Sequence, residues 1–118
     1  MTSNIAPLST IRTLLHLRDT ERVLALDCEG LLETATAHPT ACVTYRGFDE
    51  LDAAMLVGPG LVIMPLFAGD TDATAMIERL VALGYQGKVA VLAPTLPNPR
   101  LVERELRGMG LRVTVISP

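Results

Sequence analysis

Tryptophan is absent and aromatic residues make up only 3% of the chain, so any core here is aliphatic. Cysteine is scarce as well: Cys28 and Cys42 are two residues, too few for a disulfide framework, and they suit the reducing interior of a cytoplasmic protein. Neither is followed by a Cys-x5-Arg pattern, so the loop of thiol-based phosphatases is missing. No charge of one sign dominates. Ten Lys plus Arg face thirteen Asp plus Glu, for a formal net charge of −3 with no basic stripe, which argues against nucleic acid as a direct partner. The longest apolar run, Leu61 to Ala68 around Pro65, falls far short of the roughly 20 residues of a membrane span, and the N-terminus lacks a basic region followed by an apolar one. The two histidines, His16 and His38, lack the spacing of zinc ligands, and neither a GxGxxG nor a Walker A loop occurs. What remains is a chain of 118 residues, 49% hydrophobic, long enough to bury one core without a metal or disulfide staple.

Five runs rich in β-branched and aliphatic residues predict strands: Arg22 to Leu26, Ala41 to Tyr45, Leu61 to Leu66, Lys88 to Ala93 and Leu111 to Ile116. Three of them (VLAL, LVIM, VAVLA) are apolar without alternation, as strands buried on both faces are. Helical spacing fills the gaps. Gly30 to Ala37 is short and ends before His38-Pro39; Phe48 to Val57 carries Phe48, Leu51, Met55 and Leu56 before Gly58-Pro59-Gly60. Asp72 to Leu83 aligns Ala73, Met76, Ile77, Leu80 and Val81, with Gly84 at its end and Asp70 just ahead as a capping or dipole-paired acid. Asn98 caps Pro99 to Arg107, with Leu101, Val102 and Leu106 directed inward. Alternating strands and helices with short connections predict an α/β fold, a three-layer doubly wound sandwich around one parallel five-stranded sheet.

The extra element is N-terminal. Leu8, Ile11, Leu14 and Leu15 predict a helix from about Ser9 to Arg18, and only Asp19-Thr20-Glu21 separate it from the first strand. The chain therefore reads as a single domain over 1–118, with an N-terminal helix and linker (1–20) ahead of a core (21–118) that has no helix after its fifth strand.

From Arg22 to Pro118 this layout resembles the response-regulator receiver domain, with the stretch "LVIMPLF", "DATAMIERLVALG", "KVAVLAP", "NPRLVERELRGMG" and "LRVTVISP" at that family's spacing. The resemblance implies a flavodoxin-like strand order 2-1-3-4-5 and a site at the carboxyl ends of the strands. It also implies that the site is degenerate. Receivers hold Mg²⁺ with a pair of acids after the first strand; this chain has Asp27-Cys28-Glu29, and a thiol is a poor ligand for a hard cation. The phospho-accepting aspartate falls on Pro65, the switch hydroxyl on Ala93 and the phosphate-pairing lysine on Ser117, ahead of Pro118. A cis Ser117-Pro118 bond is expected from the same alignment. The resemblance thus implies a pseudo-receiver: no catalysis, no cofactor, no metal, and a protein partner in a bacterial-type, cytoplasmic signalling pathway. The helix Ser9 to Arg18 would fill the slot of the missing last helix.

In receivers the fourth-helix and fifth-strand face is a docking surface, which here would present Arg100, Glu103, Arg104 and Arg107 to a protein partner, or to a second copy in a homodimer. A different class of function stays open beside it. A flavodoxin-like domain could bind a small molecule or perform thiol chemistry at the strand ends, through Cys28, Glu29, Thr95 and Ser117, since a helix N-terminus lowers a thiol pKa. For Cys28 and Cys42 alike the plain alternative is a small buried hydrophobe. His16, in "LLHLRDT", does not closely match the histidine box of a kinase.

Overall fold

The structure is a computed structural model that describes residues 6–7, 22–28, 32–33 and 43–117. Five parallel strands make the main sheet: β1 (Val23–Leu26), β2 (Val43–Arg46), β3 (Leu61–Pro65), β4 (Lys88–Leu92) and β5 (Arg112–Ile116). They lie side by side in the order β2-β1-β3-β4-β5. The α/β class and the parallel five-stranded sheet expected from the apolar runs are present. The central strands β1 and β3 are buried at every position, as unalternating sequences require when neither face meets water.

The finer layout departs from expectation in three places. Phe48 to Val57 is not an α-helix but two 3₁₀ turns, Phe48–Glu50 and Ala53–Leu56. Polar side chains near each start compete with a continuous helix: Glu50 accepts a hydrogen bond from the Gly47 N–H (2.8 Å), and Asp52, in extended conformation, accepts one from the Met55 N–H (3.0 Å). Within the segment read as a first crossover helix, Gly30 to Ala37, Leu32–Glu33 is a two-residue strand paired in parallel with Ala6–Pro7. A segment that short has little helical preference of its own to oppose backbone pairing. A third pair, Phe67–Ala68 with Thr71–Asp72, is antiparallel around a turn in which Gly69 takes φ +57°. The segments 9–18, 29–31 and 34–42 lie outside the described residues, and with them the N-terminal helix, His16, Glu29, His38 and Cys42. So does Pro118, and with it the expected cis bond.

Two α-helices are described, α1 (Ala73–Ala82) and α2 (Pro99–Arg107). Asp72, not Asp70, caps α1, accepting from the Ala75 N–H at 3.0 Å; Asp70 sits exposed in the preceding turn. Gly84, at φ +87°, ends the helix as a Schellman turn, with Gly84 N–H donating to the Val81 carbonyl and Tyr85 N–H to that of Leu80. Asp72→Ala should therefore cost about 1 kcal/mol and lower Tm by about 4 °C, read by thermal unfolding, whereas Asp70→Ala should leave Tm in place. Ala73, Met76, Ile77 and Leu80 are buried as expected, but Val81 is 43% exposed. At 3.6 residues per turn it stands about 90° round from the middle of that stripe. Leu101 of α2 fails likewise, 50% exposed, because it lies about 140° from the buried Leu106.

The sheet divides the core. Leu24, Leu26, Val62, Met64, Val89, Val91 and Val113 face α1, α2 and the 3₁₀ turns, together with Leu51, Leu56 and Tyr85. Val23, Ala25, Val43, Leu61, Ile63, Ala90 and Leu92 form the opposite cluster with Cys28. Among the described residues every helical element packs on the first face.

Candidate functional site

The carboxyl ends of parallel strands leave backbone groups free and collect side chains from several loops, which is where such sheets bind ligands. Six of the expected site residues stand at or just beyond these ends: Asp27, Cys28, Pro65, Ala93, Thr95 and Ser117. Pro65 ends β3, buried and in register with Leu92, and the next residue, Leu66, donates its N–H to the Leu92 carbonyl at 2.8 Å. Its ring fills the strand end with an apolar group that has neither a nucleophilic oxygen nor an N–H. Ala93 follows β4, buried, and donates its N–H to the Ile116 carbonyl at 2.9 Å. Ser117 follows β5, and its hydroxyl donates to the Pro94 carbonyl at 2.8 Å. Thr95 is exposed beyond them.

Asp27 and Cys28 follow β1 and part ways. Asp27 takes φ +52°, a left-handed conformation that aspartate tolerates better than most residues but that still costs about 1 kcal/mol. Its N–H donates to the Arg46 carbonyl (2.9 Å) and its carboxylate accepts from the Phe48 N–H (3.3 Å). The turn thus ties this acid to the loop after β2 and not to the end of β3. Cys28 goes the other way, 1% exposed, with its thiol donating toward the Leu26 (3.2 Å) and Ile63 (3.4 Å) carbonyls. Burial, and secondarily the Asp27 charge, push that thiol from 9.0 up to about 12. It is therefore held protonated, the opposite of the activated thiolate that thiol chemistry needs.

Open space lies beside two of the expected residues, Asp27 and Cys28, but turned toward β2. A depression of about 440 Å³ is lined by Asp27, Cys28, Tyr45, Arg46, Gly47 and Glu50, beside β1 and β2 and not between β1, β3 and β4. Burial raises the Tyr45 phenol above its ordinary 10.0, with Cys28 a smaller cause, so it too keeps its proton. Much of the lining's hydrogen bonding is internal: Arg46 Nη1 donates to the Tyr45 carbonyl (2.8 Å) and Glu50 holds the Gly47 N–H. The only local signal for this surface is Gly47 between Arg46 and Phe48, which reads as a helix boundary. Among the described residues no group of three His, Cys, Asp or Glu is placed to hold a metal ion.

The expected partner face on α2 is half consumed. Arg100 and Arg104 are exposed, but Glu103 and Arg107 bond to the backbone of β5, Glu103 to the Val115 N–H and Arg107 to the Val113 carbonyl. Both lie to one side of Leu106, about 60° and 100° round the helix, and reach the outer edge of β5, Glu103 part-buried and Arg107 still largely exposed. Among the described residues no helix is long and apolar enough to cross a membrane. Comparison of the chain with protein-family models, curated proteins and solved structures finds no match in any of the three.

Proposed function

We propose that this chain is a pseudo-receiver, a receiver-like domain that works without phosphorylation and whose ligand is a protein of a bacterial-type, cytoplasmic signalling pathway. The observation that carries the reading is Pro65. It occupies the end of the central strand β3, buried and paired, in the place where a receiver needs a carboxylate. Asp27 is consistent with it, since the turn carries its carboxylate to the Phe48 N–H, beside the loop after β2 and away from the end of β3. The finer layout, a doubly wound three-layer sandwich with strand order 2-1-3-4-5 and a helix over Ser9 to Arg18 in the last-helix slot, belongs to the same reading. A chain starting at Thr20 should then lose stability or associate.

For the partner surface the reading now rests on the outer side of α2, where Leu101 is half exposed between Arg100 and Arg104. Exposed apolar and guanidinium groups together are what protein interfaces favour. The small-molecule alternative draws on the depression beside Asp27 and Tyr45, but the protonated Cys28 gives it no nucleophile.

The test has two arms. Radiolabelled acetyl phosphate with Mg²⁺ should leave no acid-stable, base-labile phosphoryl group on the protein. Partners captured from cell extract should be lost with Arg100→Glu/Arg104→Glu, at unchanged Tm. Stoichiometric labelling would sink the reading, and partners retained in full would move the interface elsewhere. Cys28→Ser separates the alternative, since it should impair a ligand of the depression and spare a protein partner.

A further inference from the structure

Helix α2 runs beside β5, the last strand of the sheet, and two of its charged side chains reach that strand's backbone. The Ile116 carbonyl turns inward, accepting from Ala93 at 2.9 Å. Along a strand the polar backbone groups of alternate residues point to the same side, so Arg112 and Thr114 share that inward direction and Val113 and Val115 point outward. Among the described residues no strand pairs with that outer side. Two side chains stand there instead. Glu103 Oε1 accepts from the Val115 N–H at 2.9 Å, and Arg107 Nε donates to the Val113 carbonyl at 2.6 Å. They lie one helical turn apart, their own charged ends separated by 3.9 Å. With Arg107 55% exposed, that ion pair contributes little by itself. The two bonds to the backbone are the consequential ones: an acceptor and a donor occupy the positions where a neighbouring strand would supply the same groups.

We propose that Glu103 and Arg107 act as a guard that closes the open edge of the sheet against a second copy of this chain. The edge they cover is self-complementary. Val113 and Val115 flank Thr114 symmetrically, so two copies related by a two-fold axis at Thr114 pair antiparallel, each Val113 exchanging both its backbone bonds with Val115 of the other copy. That register sets Thr114 against Thr114, a favourable cross-strand pair. The strand itself, Arg-Val-Thr-Val-Ile, is rich in β-branched residues, and an unprotected edge of such composition is a template for association. The guard goes beyond the partner surface proposed above, which rests on Arg100, Leu101 and Arg104 and not on the two side chains bonded to β5.

The experiment is sedimentation velocity on the full chain, comparing the unaltered protein, Glu103→Ala/Arg107→Ala, and the same double variant carrying Val115→Pro. The double variant should sediment one association step above the unaltered chain, and Val115→Pro should reverse the step, because proline removes the outward N–H and is tolerated on an edge strand. A double variant with native circular dichroism and the unaltered sedimentation coefficient would overturn the proposal, as would an unaltered chain already paired through this edge and dissociated by Val115→Pro. Should the double variant not fold, Glu103→Ala alone decides by amide hydrogen exchange: the Val115 amide should exchange about tenfold faster, and an unchanged rate would overturn the proposal. Glu103→Gln, which keeps an acceptor oxygen, should restore the slow rate.

Discussion

Pro65→Asp should destabilise the protein by about 3 kcal/mol or more at pH 7, and should gain no phosphoryl acceptor in exchange. The side chain would enter a buried strand end with Leu92 in register beside it, while the residues that follow β4 and β5 are Ala93, Pro94, Thr95 and Ser117, none of them cationic. Lys88 pairs with Leu61 at the other end of the same strands, too far along the sheet to help. A carboxylate buried without a partner is one of the few single changes that costs this much. Its pKa would rise on folding, so the sign is fixed. The variant is most stable below the ordinary carboxylate range and loses stability as pH rises through its folded-state pKa. Urea midpoints at pH 4.5 and 7, with Pro65→Asn as the neutral isostere, measure it. Equal midpoints for the two variants at pH 7 would mean that the strand end still accommodates a negative charge, and the pseudo-receiver reading would lose its main support.

The second large effect is alkaline. An unfolded Cys28 loses its proton near 9.0, whereas in the fold burial and the Asp27 charge hold it until about 12. Between those values the unfolded chain binds fewer protons than the folded one, so stability falls as pH rises, by as much as about 4 kcal/mol over the full interval. The contribution is complete below pH 9 and gone above about 12. Tyr45, also raised, adds a loss of the same sign. In a Cys42→Ser background, urea midpoints from pH 8 to 10.5 should fall more steeply for the chain with Cys28 than for Cys28→Ala. Asp27→Asn should leave that slope nearly unchanged over this range and make the total loss smaller, by removing the secondary cause. Parallel slopes in all three would show that the thiol is not as isolated from water as its environment implies.

The sheet was legible because its evidence is redundant. Each of the five strands announces itself by an apolar run, and the structure places each boundary within two residues of the run that signals it. Helix α1 was legible for the same reason, with Asp72, the buried stripe and Gly84 agreeing. Phe48 to Val57 misled because its apolar spacing fits a helix, while Glu50 and Asp52, the residues that interrupt it, look like ordinary surface acids. The strand-end positions followed from topology once the order of elements was known. Tyr45, Arg46 and Glu50 did not, since the depression they line is made by a backbone turn after β2. Glu103 and Arg107 read as part of a face turned to a partner, whereas their hydrogen bonds go to the backbone of β5, a pairing that spacing along the helix does not announce.

The two clusters on either side of the sheet differ in size as well as in position. Across one row run Leu24, Val62, Val89 and Val113; across the adjoining row, on the other face, run Ala25, Ile63, Ala90 and Thr114. A strand that is apolar on both sides has no polar face to signal a slip of one residue, and here the signal is volume. A shifted β1 would drive Leu24 into the space of an alanine and leave a cavity where it had been. The tolerance of these strands to variation should accordingly alternate residue by residue, with Ala25 and Ala90 refusing larger side chains and Leu24 and Val89 refusing smaller ones.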